Sequence, residues 1–144
     1  MSETTYTSRI ERVSHSDKVV YGVLSEPSKL QPLVASVPSN EYVEGVELEQ
    51  DTIKIRTKQF GDIVMRVVDR EENKTVKYAA ENSPIPANFW IQFKATEAEQ
   101  TAVRLTLRAD LPMMVRMMLG NKIEEGLNKL AAALPLLPYK DLAI

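Results

Sequence analysis

The chain has 144 residues, 44% hydrophobic and 26% charged, with a net charge of −2. That length suits a single domain over residues 1–144, and the mild acidity argues against a sequence-independent grip on nucleic acid, which needs a basic surface. The absence of cysteine excludes disulfides, thiolate metal sites and cysteine nucleophiles, and a single histidine, His15, excludes a multi-histidine centre; no metal or cofactor is expected.

The N-terminal residues are polar and lack the apolar core of a signal peptide. No apolar run is long enough to span a bilayer, so a cytoplasmic protein without an integral membrane segment is expected. Residues Thr4 to Val13 alternate as a strand, with Tyr6, Ser8 and Ile10 on one face and Arg9 and Glu11 on the other. Ser14 to Asp17 supply helix-capping residues, and Val19, Val20, Val23 and Leu24 follow at helical spacing. Pro27 interrupts, and a second short helix is predicted from Ser28 to Ala35.

From Tyr42 the period changes to two. Six short strands at roughly ten-residue spacing are joined by hairpin-length turns. Their apolar face carries Tyr42, Val46, Ile55 and Met65, then Tyr78, Phe89, Ile91, Phe93 and Leu105. The opposite face carries Arg56, Arg66, Arg104 and Arg108, and acidic Glu47 and Glu49 stand against Lys54, Arg56 and Lys58. One apolar and one charged face mark an antiparallel sheet with one wet side. The phase of one strand turns on Trp90: were Trp90 inward, Phe89 and Phe93 would face out.

The longest helical pattern comes last, from Leu111 to Leu134. Its second half is amphipathic, with Leu119, Ile123, Leu127, Leu130 and Leu134 on one face and Glu124, Glu125 and Asn128 opposite. Its first half holds Met113, Met114, Met117 and Met118, which cannot all share that face. A meander of this length must cover its apolar side, and this helix is the element large enough to do so. The fold class is therefore α+β: one strand, two short helices, a six-stranded antiparallel meander (seven strands in all) curved around a long C-terminal helix.

That order resembles the helix-grip fold of the START-like superfamily, also called the polyketide cyclase/lipid-transport or SRPBCC group. The resemblance is carried by Tyr6-Thr7-Ser8, by Val20-Tyr21-Gly22-Val23-Leu24-Ser25 leading into Pro27 and Leu30, by Leu111-Pro112, and by Gly126-Leu127-Asn128-Lys129-Leu130-Ala131. It implies a cavity between sheet and helix for a small hydrophobic or amphipathic molecule, and it brings no catalytic residue.

The candidate ligand-binding residues are Tyr42, Ile55, Met65, Tyr78, Phe89, Ile91, Phe93 and Leu105 on the sheet, with Met114 and Met118 on the helix. The plain alternative is a filled core. A buried tyrosine needs a hydrogen-bond partner, which a ligand could supply. Methionine suits a surface that adapts to varied apolar shapes; the four on the helix fit a pocket rim, or else a homodimer contact through Met113, Met117 or the apolar C-terminal tail. His15 reads as a surface cap residue, and Ser8 and Arg12 as possible orienters of a polar head group. No carboxylate pair, activated serine or phosphate-binding glycine loop stands out. Binding or transport of a hydrophobic ligand leads. The alternatives are a cyclase, aromatase or hydrolase using the same cavity, and an interaction domain working through the methionine helix.

Overall fold

The alternating pattern folds into one curled antiparallel sheet, and the long helix lies in its concave side. A computed structural model of the chain describes residues 3–34, 43–58, 61–81, 83 and 85–142. Strands β1 (Thr4–Thr7) and β2 (Glu11–Val13) precede helix α1 (Asp17–Leu24). A 3₁₀ turn at Pro27–Leu30 runs into the short helix α2 (Gln31–Val34). The meander is β3 (Val43–Leu48), β4 (Thr52–Thr57), β5 (Gly61–Glu71), β6 (Thr75–Glu81), β7 (Ala87–Glu97) and β8 (Gln100–Ala109). Helix α3 (Met113–Ala133), a 3₁₀ turn (Leu134–Leu136) and the short α4 (Tyr139–Leu142) complete it. The sheet order is β1-β8-β7-β6-β5-β4-β3, with β2 also on β8. This is the helix-grip arrangement that the element order implied.

The first strand differs from expectation in being two. Thr7 pairs with Thr106, but Glu11 pairs with Val103, so four residues on one side span three on the other. The extra residue is a bulge around Ser8, Arg9 and Ile10, and it reverses which side chains face inward. Ile10, expected beside Tyr6, is thereby 62% exposed, while Val13 is fully buried. The bulge is held by side chains. The Ser8 hydroxyl donates to the Arg9 carbonyl (2.8 Å) and accepts from the Leu105 amide (2.9 Å). Asn128 of α3 accepts from the Arg9 amide at 2.7 Å, satisfying a donor the ladder leaves free.

The second short helix is tighter at its start than predicted: Pro27 opens a 3₁₀ turn, and among the described residues only Gln31–Val34 of this segment is α-helical. Ala35 and Tyr42 lie outside the described residues. Trp90 takes the outward phase. It sits between Lys77 Nζ (5.5 Å) and the Arg108 guanidinium (5.3 Å), so Phe89, Ile91 and Phe93 point inward. On the same convex side Glu47 pairs with Arg56 and Lys54, and Arg66 with Glu81 (2.7 Å).

Along its length the concave face divides into a solid end and a hollow end. At the solid end α1 lays Val20, Val23 and Leu24 onto the sheet, all fully buried, and Tyr21 meets Phe93 edge-on at 5.7 Å. The C-terminal tail packs there too. Tyr139 is buried, donates to the Leu134 carbonyl at 2.7 Å and meets the His15 ring at 5.1 Å, tilted by 45°. The hollow end is spanned by α3.

Candidate functional site

A cavity of about 410 Å³ lies between the sheet and α3, within the roughly 300–1,000 Å³ of small-molecule sites. β3 to β5 contribute Val46, Leu48, Ile53, Ile55, Ile63 and Met65 to its wall. β7 and β8 contribute Phe89, Ile91, Leu105 and Leu107, together with Ala87 and Ala109. Those two alanines are cross-strand partners, so a pair of minimal side chains leaves space where larger ones would fill it. Opposite them α3 presents Val115, Leu119, Ile123, Leu127 and Leu130, one residue about every turn, and Leu111 joins them from just before its start. Leu24, Leu30, Leu33 and Val34 close the end toward α1 and α2.

The wall is apolar almost throughout. Among the described lining residues Ser83 alone carries a polar side chain. No acid or base is among them, so the Ser83 hydroxyl has no group in the wall to activate it for acyl transfer. Such a surface gains from excluding water around apolar groups and offers little to fix orientation.

Of the residues expected to bind, the cavity brings together Ile55, Met65, Phe89, Ile91 and Leu105. Tyr42 lies outside the described residues. Phe93 faces inward but belongs to the solid end, against Tyr21. Tyr78 is fully buried beside Phe89 (5.7 Å between rings) without reaching the cavity wall. Its hydroxyl has no partner among the described residues. Burial raises the Tyr78 pKa well above its ordinary value, partly opposed by Arg70. That arginine ties the end of α1 to the β3–β4 turn, donating to the Ser25 carbonyl (3.0 Å) and to Asp51 (2.8 Å).

Met114 and Met118 do not line the cavity. They are 74% and 60% exposed, and Met113 and Met117 are 66% and 78% exposed. All four occupy the outer side of α3, because Val115, Leu119 and Ile123 hold its inner side. Ser8 is engaged in the bulge and Arg12 is exposed, so neither reaches the cavity. His15 lies with the tail, its carbonyl accepting from Thr101 Oγ1 at 2.8 Å. The residues not anticipated include Leu111, Val115, the α1–α2 group, Ser83, Ile85 and the alanine pair Ala87 and Ala109. A pattern for the first two existed: Leu111, Val115, Leu119 and Ile123 recur every four residues, the spacing of one helix face.

No protein-family model matches the sequence, and neither does any curated protein. Solved structures do match in shape. Norcoclaurine synthase from Thalictrum flavum, in complex with dopamine and hydroxybenzaldehyde, superposes with a TM-score of 0.70 at 13% identity, covering 96% of this chain and 88% of that one. A START superfamily protein from Mycobacterium smegmatis gives 0.57 at 14% identity, covering 92% and 94%. A conserved protein from Geobacillus kaustophilus gives 0.63 at 18% identity, covering 99% and 95%.

Proposed function

The chain has the START-like helix-grip fold, and we propose that it binds a small hydrophobic or amphipathic molecule in the cavity between sheet and α3, as a carrier or sensor. The observation that carries this reading is the wall itself: a ligand-sized space bounded by apolar side chains from sheet, α3 and the α1–α2 connection, with Ser83 as its polar exception among the described residues. Ile55, Met65, Phe89, Ile91 and Leu105 are the contacts. Affinity comes from apolar burial, about 25 cal/mol per Å² removed from water, less the cost of immobilising the ligand. Among the described residues no helix is long and apolar enough to cross a membrane.

The same fold houses an enzyme in norcoclaurine synthase, so catalysis on a hydrophobic substrate is the second reading. The composition of the wall favours binding over chemistry, because a reaction needs a positioned acid or base.

Titration with the apolar fluorophore N-phenyl-1-naphthylamine tests the proposal. Saturable, one-site enhancement is expected. Ala87→Phe, which puts a ring into the space the alanine pair leaves open, is expected to weaken binding about ten-fold or more, a loss of at least ~1.4 kcal/mol, while the circular dichroism spectrum is retained. An unsaturable response, or an Ala87→Phe protein that folds and binds as before, would sink the proposal.

A further inference from the structure

The cavity leaves one conspicuous feature of α3 unused. Met113, Met114, Met117 and Met118 are each at least 60% exposed and fall within about 140° of the helix circumference. Contiguous apolar surface of this kind on a folded domain marks an interaction site, and methionine side chains repack readily against a partner. Arg116, in the middle of the stripe by sequence, turns away and reaches the Thr4 hydroxyl at 3.4 Å. The same outer face continues into exposed Glu124 and Glu125, which disfavour an anionic bilayer as the occupant.

The start of the helix supplies the complementary charge. Pro112 stands at the N-cap, gives no side-chain cap and is followed by no acidic residue in the first turn. The first amides of α3 therefore form a positive helix end with no counter-charge of its own. Asp110, three residues before Met113, is partly buried, and its Oδ1 has no partner among the described residues. One helix thus carries, in order, an open positive end, an apolar stripe and an acidic pair.

We propose that this face binds a second copy of the chain, with the two α3 helices antiparallel about a two-fold axis beside Met117 and Met118. The methionines of both copies interleave at the axis. Glu124 and Glu125 lie about two turns beyond it, level with the residues just before the start of the other helix. Helical side chains lean toward their own N-terminus, which brings the carboxylates back onto the open first turn of the partner. The two-fold makes this charge match twice. It also gives the contact an apolar centre and a polar rim, the usual anatomy of such interfaces. The proposal stands on the outer face of α3 and is independent of what the cavity holds.

Sedimentation equilibrium of the full chain, from about 1 to about 500 μM, is the test. A reversible monomer–dimer equilibrium is expected. Met117→Glu is expected to abolish it with the circular dichroism spectrum unchanged, since that side chain is exposed. E124Q/E125Q is expected to weaken dimerisation roughly three- to ten-fold and to flatten its salt dependence. In a chain without cysteine, Met118→Cys is expected to form a disulfide across the axis on air oxidation. A monomer at every concentration, or a dimer that survives Met117→Glu, would overturn the proposal. So would a monomer that binds phosphatidylcholine vesicles through the methionines, which would make a bilayer the occupant. A dimer indifferent to E124Q/E125Q and not cross-linked by Met118→Cys would overturn the antiparallel arrangement.

Discussion

Two tyrosines buried to the same extent have opposite hydrogen-bond histories, and that difference predicts opposite responses to losing a single oxygen. Tyr139 donates to the Leu134 carbonyl at 2.7 Å, whereas the Tyr78 hydroxyl has no partner among the described residues. Removing a satisfied hydroxyl costs about 1 kcal/mol, and removing an unsatisfied one relieves a penalty of about 1–3 kcal/mol. Tyr139→Phe is therefore expected to lower stability and Tyr78→Phe to preserve or raise it, as urea unfolding would show. Burial raises both phenol pKa values above the ordinary 10.0. Below that value both folded and unfolded states are neutral and the stabilisation is complete. Above it the unfolded chain ionises first, so stability falls as pH rises toward the folded-state values. Unfolding free energies at pH 8 and pH 11 are expected to differ less in the Tyr78→Phe protein than in the parent; an equal fall in both would refute the assignment. A sequence shows that Tyr78 points inward but not whether its oxygen finds a partner, because that partner would come from an element distant in the chain.

At the scale of elements, the bulge between β1 and β2 shows how a helix residue can set the shape of a strand. Asn128 reads from the sequence as part of the polar back of α3, yet it caps the Arg9 amide across 119 residues of chain. Asn128→Ala is expected to destabilise the protein by about 1 kcal/mol and to speed hydrogen exchange at Arg9 more than at Thr5. Equal exchange at the two sites would show that the bulge does not depend on the cap. The meander was legible because period-two alternation is local, but the phase of the strand carrying Phe89, Ile91 and Phe93 was not, since Trp90 is as apolar as its neighbours; the structure turns Trp90 outward between Lys77 and Arg108. The split of the first strand was not legible. A bulge leaves the local alternation plausible on both sides, and its position is fixed by pairing with β8. The methionines of α3 misled for a related reason. They outnumber Val115 and Leu119 in the first two turns, and the helix follows the smaller set because that set continues the stripe ending at Leu130.

For the whole molecule, the division into solid and hollow ends decides which inward residues can meet a ligand. Ile55 and Phe93 follow the same alternation, but one lines the cavity and the other packs under α1. The sequence could place both on the concave face and could not say where α1 would stop covering it. A ligand confined to the hollow end joins sheet, α2 and α3, so it stabilises the folded state by mass action. At a ligand concentration a hundred times the dissociation constant the gain is about 2.7 kcal/mol. A scan of apolar compounds is accordingly expected to raise the melting temperature of the parent and to leave Ala87→Phe unmoved. Equal shifts in both would place binding elsewhere.

The chain has one tryptophan, and it is clamped between two cations on the convex face, with the sheet between it and the cavity. Its emission is thereby an internal standard. It should report the integrity of the strands through the loss of Lys77 and Arg108 from its ring on unfolding, and stay constant while the cavity fills. With a ligand that does not absorb at the emission wavelength of Trp90, unfolding can then be followed at Trp90 independently of occupancy.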